Sequence, residues 1–454
     1  MIASSPLKNL KDKKMKKIFL IFFLYLTVSS CDVIDQEPID SVSTQSLFKL
    51  PSDADAAIIG TYRYLANLGP NYIYFAELPT KNSKGNALNR QFEQLNNLII
   101  VADNSQFTGL WDQQFVLINS ANVVIAKVPG IPGMADAAKN SVIAEARFLR
   151  AFVYFNLVRY FGAVPLITTP TESPDVKSLQ VSRTPVAEVY TQILADLDFA
   201  KLNLPETHAG LGKTGRATKA AAFALGARIH LTRKNYPLAI ADANQVISKR
   251  GETLSVAYAN LFLTKNSAEA ILEINYDTQL QNSLATTFLP GSLGGTRTIE
   301  VNNDIFNAYE TGDLRKDATY GFANAANYMK KYSRGGTKDD NIIVFRLAEV
   351  LLAKAEALAE TSYPSTDAVK LLNEVRKRAG LAAINPATIA DFRTALYKER
   401  RLELCFEGHE WFDIVRTGRL QSVLGITDIN KAIWPVPSVE IARNPKLQPQ
   451  NPGY

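Results

Sequence analysis

Apolar residues recur at i, i+3 and i+4 through most of this chain, and that period commits it to a mostly helical fold. The pattern starts at about 52–68 and continues over Leu110–Lys127, Ser141–Tyr160, Pro185–Leu202, Thr218–Arg233 and Pro237–Arg250. It returns over Ile343–Ala359, Thr366–Ala379, Asp391–Phe406 and Glu410–Arg416. Helix-stopping residues fall between the segments, at Pro129-Gly130-Ile131-Pro132-Gly133, Gly162, Pro205 and Gly380. Thr218–Arg233 and Pro237–Arg250 are parted only by Lys234-Asn235-Tyr236, so they fold as a hairpin with Ala227 and Ala239 where the helices touch. Arg346–Ala359 and Ala368–Ala379 form a second such pair. Hairpins of this kind make tetratricopeptide-type repeats, and their irregular spacing here predicts a degenerate scaffold within a globular domain.

Residues 268–300 and 301–342 break the period. Ile271–Ile274 is a short strand, and the Gly- and Asn-rich run after it has no helical pattern. Irregular stretches of this length in a helical protein are binding surface or disordered insertion, and both readings stay open.

The first thirty residues read as a leader. Lys11, Lys13, Lys14, Lys16 and Lys17 precede an apolar run, Ile18–Val28, that is too short to span a bilayer. Met15 would serve as an alternative start. Val28-Ser29-Ser30-Cys31 places small residues before a cysteine and resembles the lipobox of bacterial lipoproteins; an ordinary signal-peptidase cut nearby is the alternative. The expected organisation is a signal peptide at 1–30, a lipidated tether at 31–50 carrying Asp32, Asp35, Glu37 and Asp40, and a globular domain at 51–454. Residues 1–30 hold a net +5 of the chain's formal +6, so the mature protein is near neutral and has no electrostatic motive for binding nucleic acid. Cys405 is the one cysteine besides Cys31, which excludes an intramolecular disulfide in the mature chain if Cys31 is lipidated. No later run approaches 18 apolar residues, so lipid on Cys31 is the expected membrane attachment.

Three further stretches carry a resemblance. The first is AEARFLRAFVYFNLVRYFGAVPLI at Ala144–Ile167. The second is RLAEVLLAKAEALAE at Arg346–Glu360 with LNEVRKRAG at Leu372–Gly380. The third joins ERRLEL at Glu399–Leu404 and GHEWFD at Gly408–Asp413 to the closing WPVP at Trp434 and QNPGY at Gln450–Tyr454. In this order they resemble the SusD/RagB family of outer-membrane nutrient-binding lipoproteins. The resemblance implies a SusD-like fold, mostly α, with four tetratricopeptide-like helix pairs, little β structure and irregular ligand-binding loops at about 268–342. It also implies a lipid-anchored protein on the cell surface, over a SusC-like TonB-dependent transporter. Its ligand would be an oligosaccharide, or a peptide as in the RagB branch.

The residues of these motifs read structurally on their own chemistry. Phe148, Leu149, Phe152, Val153 and Phe155 share one helical stripe and belong to the core. Arg147, Arg150 and Arg159 are expected to be paired or capped, with ligand contact as the alternative, and Glu399, Arg400, Arg401 and Glu403 to form a salt-bridged helix face. The Pro-rich C-terminus is expected as an extended strap.

Catalytic readings are weak. Gly210-Leu-Gly-Lys-Thr-Gly215 evokes a phosphate loop, but Thr207 stands where the required first glycine should be, so the segment reads as a turn. His409-Glu410-Trp-Phe-Asp413 evokes a zinc helix, but Asp413 replaces the second histidine, and His208, His230 and His409 have no ligand spacing. Cys405, flanked by Leu404 and Phe406, reads as a buried apolar thiol. The chain is therefore expected to be a binding protein without catalytic residues, metal or cofactor. Peptide capture and a helical scaffold without small ligand are the alternatives, and a glycosidase is a distant one.

Sugar binding needs flat apolar rings beside amides and guanidiniums. Two stretches offer the mixture. One contains Tyr72 and Tyr74 followed by Asn82, Asn86 and Arg90; the other contains Tyr309, Tyr328, Tyr332 and Arg334. Trp111 is added as a lone indole, with core packing as its alternative role.

Overall fold

Helix α1 (Pro51–Glu77) starts with the Asp53 carboxylate accepting the Leu50 N–H and with proline in its first turn, where a missing N–H costs nothing. It runs nine residues beyond the expected end at 68, straight through Pro70. Proline there leaves the Ala66 carbonyl without its helical donor. The Tyr276 hydroxyl donates to that carbonyl at 2.5 Å instead. Gly69 makes this possible, because a Cβ at that position would fall 2.4 Å from the same hydroxyl.

The computed structural model describes residues 48–86, 89–171, 175–209 and 214–454. The leader, Cys31 and its acidic tether, and residues 210–213 of the glycine-rich motif lie outside the described residues. Leu50–Tyr454 fold as one unit. Its long helices are α1, α2 (Ser105–Lys127), α3 (Asp136–Phe161), α4 (Val186–Asn203), α5 (Lys219–Thr232), α6 (Tyr236–Arg250), α7 (Leu347–Thr361), α8 (Thr366–Arg378) and α9 (Ile389–Leu404), followed by the short α10 (Glu410–Arg416). Each long helix packs on the next in chain order, and α6 packs on α7 across the whole 251–346 insertion. This is the tetratricopeptide-like ladder that the paired segments predicted, with little β structure. Ala227 and Ala239 are both buried in it. At Gly226, a Cβ would fall 2.1 Å from the Asp242 carboxylate of α6.

Two elements depart from the sequence pattern. Ile342–Arg346, expected as the start of a helix, forms a strand that pairs antiparallel with Ala270–Ile274. A short run of β-branched and aromatic residues buried on both faces suits a strand as well as a helix, and period alone does not separate the two. The predicted apolar stripe of α3 is buried as expected, but so is nearly every residue from Val142 to Tyr160, since α1, α2, α4 and α5 surround it. Arg150 inside α3 donates to both oxygens of Asp196 on α4 (2.7 and 2.7 Å) and to Asn122 on α2 (2.6 Å), tying three helices together.

The strands are β1 (Ser83–Gly85), β2 (Ala270–Ile274), β3 (Ile299–Val301), β4 (Tyr320–Ala323), β5 (Ala326–Met329) and β6 (Ile342–Arg346). They pair antiparallel as β1–β3, β2–β6 and β4–β5. The C-terminus, expected as an extended strap, is interrupted by short helical turns at Ile429–Ala432, Ser438–Arg443 and Pro445–Leu447, and it crosses the end of α3. There the Trp434 N–H donates to the Tyr160 carbonyl, and the Asn451 amide donates to the carbonyls of Phe161 and Trp434.

Candidate functional site

The two irregular regions of the chain meet at one surface. β1 pairs with β3 in the register Ser83–Val301, Lys84–Glu300 and Gly85–Ile299. Just beyond it, the Asn86 amide donates to the Arg297 carbonyl at 2.6 Å, joining residues 211 positions apart. The Arg297 guanidinium in turn donates to the Ala323 carbonyl at 2.8 Å, at the tip of β4. Residues 83–86 and the β4–β5 hairpin are thus joined through Arg297 into one platform.

The hairpin turns on Asn324-Ala325, with both residues at positive φ (52° and 58°). That is the backbone of a type I′ turn, for which Asn-Gly is the favoured pair. Tyr320 and Met329 face the core, whereas Gly321 and Tyr328 oppose each other on the other face. A Cβ on Gly321 would fall 2.3 Å from the Tyr328 ring, so the ring lies across bare backbone. Phe322 is 73% exposed, more than any other aromatic residue among the described residues. Asn324 is exposed and Asn327 half-buried beside it.

Both ends of the hairpin are clamped by buried charge. Arg315, shortly before β4, donates to Asp313 (2.9 and 2.8 Å), Glu399 (2.6 Å) and Glu403 (3.0 Å). Lys331, just after β5, donates to Glu407 and to the Cys405 carbonyl, both at 2.6 Å. Arg346 joins the two clamps by bonding Glu403 (2.5 Å), Glu407 (2.7 Å) and Glu269 (3.0 Å), and Arg378 bonds Glu269 and Glu403. Burial alone would raise the Glu403 pKa, but Arg378, Arg346 and Arg315 outweigh it and hold the carboxyl well below its usual range. The expected salt-bridged face of α9 is therefore real. Its partners lie on other segments, and it is buried. Cys405 is buried as expected, but in a polar setting: the hydroxyls of Tyr309 and Tyr320 lie 3.4 and 3.8 Å from its sulfur.

Beneath the platform, Asn82 bridges α1 to α9. Its amide donates to Glu77 at 2.8 Å, and its oxygen accepts from Arg401 at 2.8 Å. Burial pushes Glu77 up to about 8 against the lowering pull of Asn82, and burial lifts the neighbouring Glu410 to about 7.

Of the ten residues expected to contact ligand, six are buried: Tyr72, Tyr74, Tyr309, Tyr332, Asn82 and Trp111. The Tyr72 hydroxyl is held by Arg228 (2.8 Å), Tyr74 by Ser283 and Thr287 (2.9 and 2.8 Å), Tyr309 by the Leu402 carbonyl (3.0 Å) and Tyr332 by the Phe406 carbonyl (2.8 Å). These four tyrosines and Asn82 are buried, so each is corrected to a packing role: no ring face is open and every polar tip has a protein partner. Asn86, Arg90 and Tyr328 reach the platform surface. Arg334 is half-buried and donates to the Leu263 carbonyl, away from the hairpin tip. Phe322 and Arg297 escaped the sequence reading; an Asn-Gly at the turn would have revealed the hairpin.

Two family models match the chain. One, described as starch-binding and associating with the outer membrane, covers residues 36–231; the other, the SusD family, covers residues 315–433. The SusD-like protein P2 of Formosa agariphila is 29% identical over 97% of this chain and 100% of its own length. The starch-binding protein SusD of Bacteroides thetaiotaomicron is 25% identical over 71% of this chain and 74% of its own. A laminarin-binding SusD-like protein of known structure superposes with a TM-score of 0.79 at 26% identity, covering 90% of this chain and 100% of that one.

The chain belongs to the SusD/RagB family.

In this SusD-family protein the motif residues serve the scaffold. Arg150, Arg346, Arg378, Glu399 and Glu403 all make buried ion pairs, while Arg159 packs between two rings. Thr214-Gly215 turns towards α5, with Gly215 at φ 80°. His409 is buried, and burial holds it well below the usual histidine range. A concavity lies away from the platform. It is an open cleft of about 730 Å³ walled by Tyr64, Trp111 and Phe115, with Asp112, Asn119 and Glu440 among its polar groups. Trp111 stands edge-on to Phe161 (5.1 Å between ring centres) and is largely buried, showing only part of itself to the cleft.

Proposed function

We propose that this protein captures an oligosaccharide at the outer surface of the outer membrane and passes it to a SusC-like TonB-dependent transporter. The observation that carries the reading is the β4–β5 hairpin, which presents an exposed phenyl ring, Phe322 opposite Asn327, on one face and the Tyr328 phenol laid over Gly321 on the other, with Arg297 bonded at its tip. Sugar C–H faces pack on such rings, and amides and guanidiniums satisfy the hydroxyls. Lipid on Cys31 would hold the protein at the surface; several acyl chains give lasting attachment where one gives only reversible binding. The proposed role is capture without turnover.

Titration calorimetry with starch- and laminarin-derived oligosaccharides tests this. Phe322→Ala and Tyr328→Ala are each expected to weaken binding at least about tenfold, corresponding to ~1.4 kcal/mol. Binding of peptides and of no glycan would replace the reading with peptide capture.

The Trp111 cleft supports a second reading, in which the ligand lies along α2. Val116 lines it and is exposed, so Val116→Trp would fill the cleft without touching the platform. Loss of binding in that variant with unchanged binding in Phe322→Ala would move the site there.

A further inference from the structure

Between α3, α5, α7, α9 and α10 lies a cavity of about 10 Å³, room for one water-sized body. Four guanidiniums line it, from Arg159, Arg228, Arg400 and Arg416, together with Glu349, Asp413 and His409. The nearby carboxylates are fully engaged. Glu349 accepts Arg228 on both oxygens (2.6 and 2.6 Å), and Asp413 accepts Arg400 (2.8 and 3.2 Å) and Arg416 (2.8 Å). Glu356 accepts Arg416 on both oxygens (2.5 and 2.8 Å). Three carboxylates thus face four arginines.

The unmatched cation is Arg159. Among the described residues no carboxylate lies within ion-pair distance of it. Its guanidinium bonds only the Asn156 side chain and the Phe155 carbonyl, and is held between the rings of Phe155 (4.0 Å) and Phe412 (3.5 Å). Part of the residue reaches solvent, yet burial of the head group brings its pKa down to about 10. At the same cavity one donor is unused: Nη1 of Arg400, on a side chain 4% exposed, has no hydrogen-bond partner. Guanidinium groups only donate. A buried donor without an acceptor and a buried charge without a counterion are both costly.

We infer that this cavity binds a small monovalent anion of chloride size. An anion accepts from Arg400 Nη1 and neutralises the excess charge of Arg159. Water would satisfy the donor and leave the charge, and a phosphate or sulfate is too large for the space. The ion would pin α10, which carries the Gly408–Asp413 motif, to α3, α5 and α7.

Two measurements on the whole chain test the inference. Crystals soaked in bromide are expected to show an anomalous peak in the cavity. Thermal unfolding in chloride, against gluconate at equal ionic strength, is expected to show a midpoint that climbs with the logarithm of chloride concentration above its dissociation constant, reaching about 3 °C at a hundredfold excess. Arg159→Met should abolish that rise; if the variant does not fold, the bromide map of the wild-type protein decides. No anomalous peak, together with equal midpoints in the two salts, would overturn the inference.

Discussion

Glu77→Gln should make this protein more stable, by an amount that depends on pH. Glu77 is 1% exposed and its carboxyl is raised from 4.5 to about 8, first by burial and further by the charge of Glu410, against the lowering hydrogen bond from Asn82. A carboxyl with a raised folded-state pKa favours the folded protein fully only below its unfolded pKa; that advantage is lost as pH rises to the folded value. Each pH unit above 4.5 therefore removes about 1.4 kcal/mol. The loss is about 3 kcal/mol by pH 7 and levels off near 5 kcal/mol above pH 8. Glutamine keeps the shape and still accepts from Asn82, but has no proton to lose. Urea unfolding of both proteins, followed by circular dichroism from pH 4.5 to pH 9, should give coincident stabilities at the acid end that diverge by these amounts. Titration of groups that do not act on Glu77, such as Glu403, cancels in the difference, whereas Glu410, whose charge acts on Glu77, adds a coupled contribution near pH 7. A difference that stays flat across this range, or a variant that is the less stable at pH 8.5, would refute the assignment of Glu77 as a carboxyl kept neutral by burial.

Glu403→Ala leaves Arg315, Arg346 and Arg378 facing a hole, and should destabilise by roughly 3–5 kcal/mol in the same urea assay. Ala325→Gly relieves a side chain held at φ 58° in the hairpin turn and should raise stability by about 1 kcal/mol, read as an upward shift of the denaturant midpoint. Cys31→Ala should release a folded, ligand-competent protein from the membrane fraction and abolish uptake; a variant that still pellets with membranes would count against the lipid anchor.

The helical ladder was legible in the sequence because each long helix buries its apolar positions against its neighbours in the chain, so a local period carries the global packing. Legibility failed where a distant residue decides the local structure. Nothing near Pro70 signals that α1 continues, since the group that compensates the lost hydrogen bond is Tyr276. The hairpin was hidden because Ala325 stands where glycine would have marked the turn. Tyrosines illustrate the limit for the site: Tyr72, Tyr309, Tyr328 and Tyr332 look equivalent in sequence. Only Tyr328 opposes a glycine and reaches the platform surface, and that cross-strand pairing is a tertiary fact. The arginines and glutamates of α9 were readable as paired, but not the identity of their partners on other segments, such as Arg315.

Those partners explain why so much charge is buried at this place. Two neighbouring buried ion pairs replaced by apolar packing would often leave a protein as stable or more so, so stability alone is a poor account of the Arg315 and Lys331 clamps. Their geometry suggests another role. A short two-stranded hairpin is only marginally stable on its own, and here it must also hold Phe322 against water and Ala325 in a strained turn. Charge-assisted bonds at both stems, each fixed in direction by a buried carboxylate or carbonyl, confine it far more narrowly than apolar contact would. A ligand meeting this platform then finds its rings already placed, and the ordering cost that weakens binding to mobile loops is absent. On this argument Glu403→Gln should lower ligand affinity although Glu403 touches no ligand, while Glu77→Gln, which leaves both clamps intact, should not. Equal affinities in the two variants would show that the hairpin is held by its own contacts, and that the buried charge serves only the scaffold.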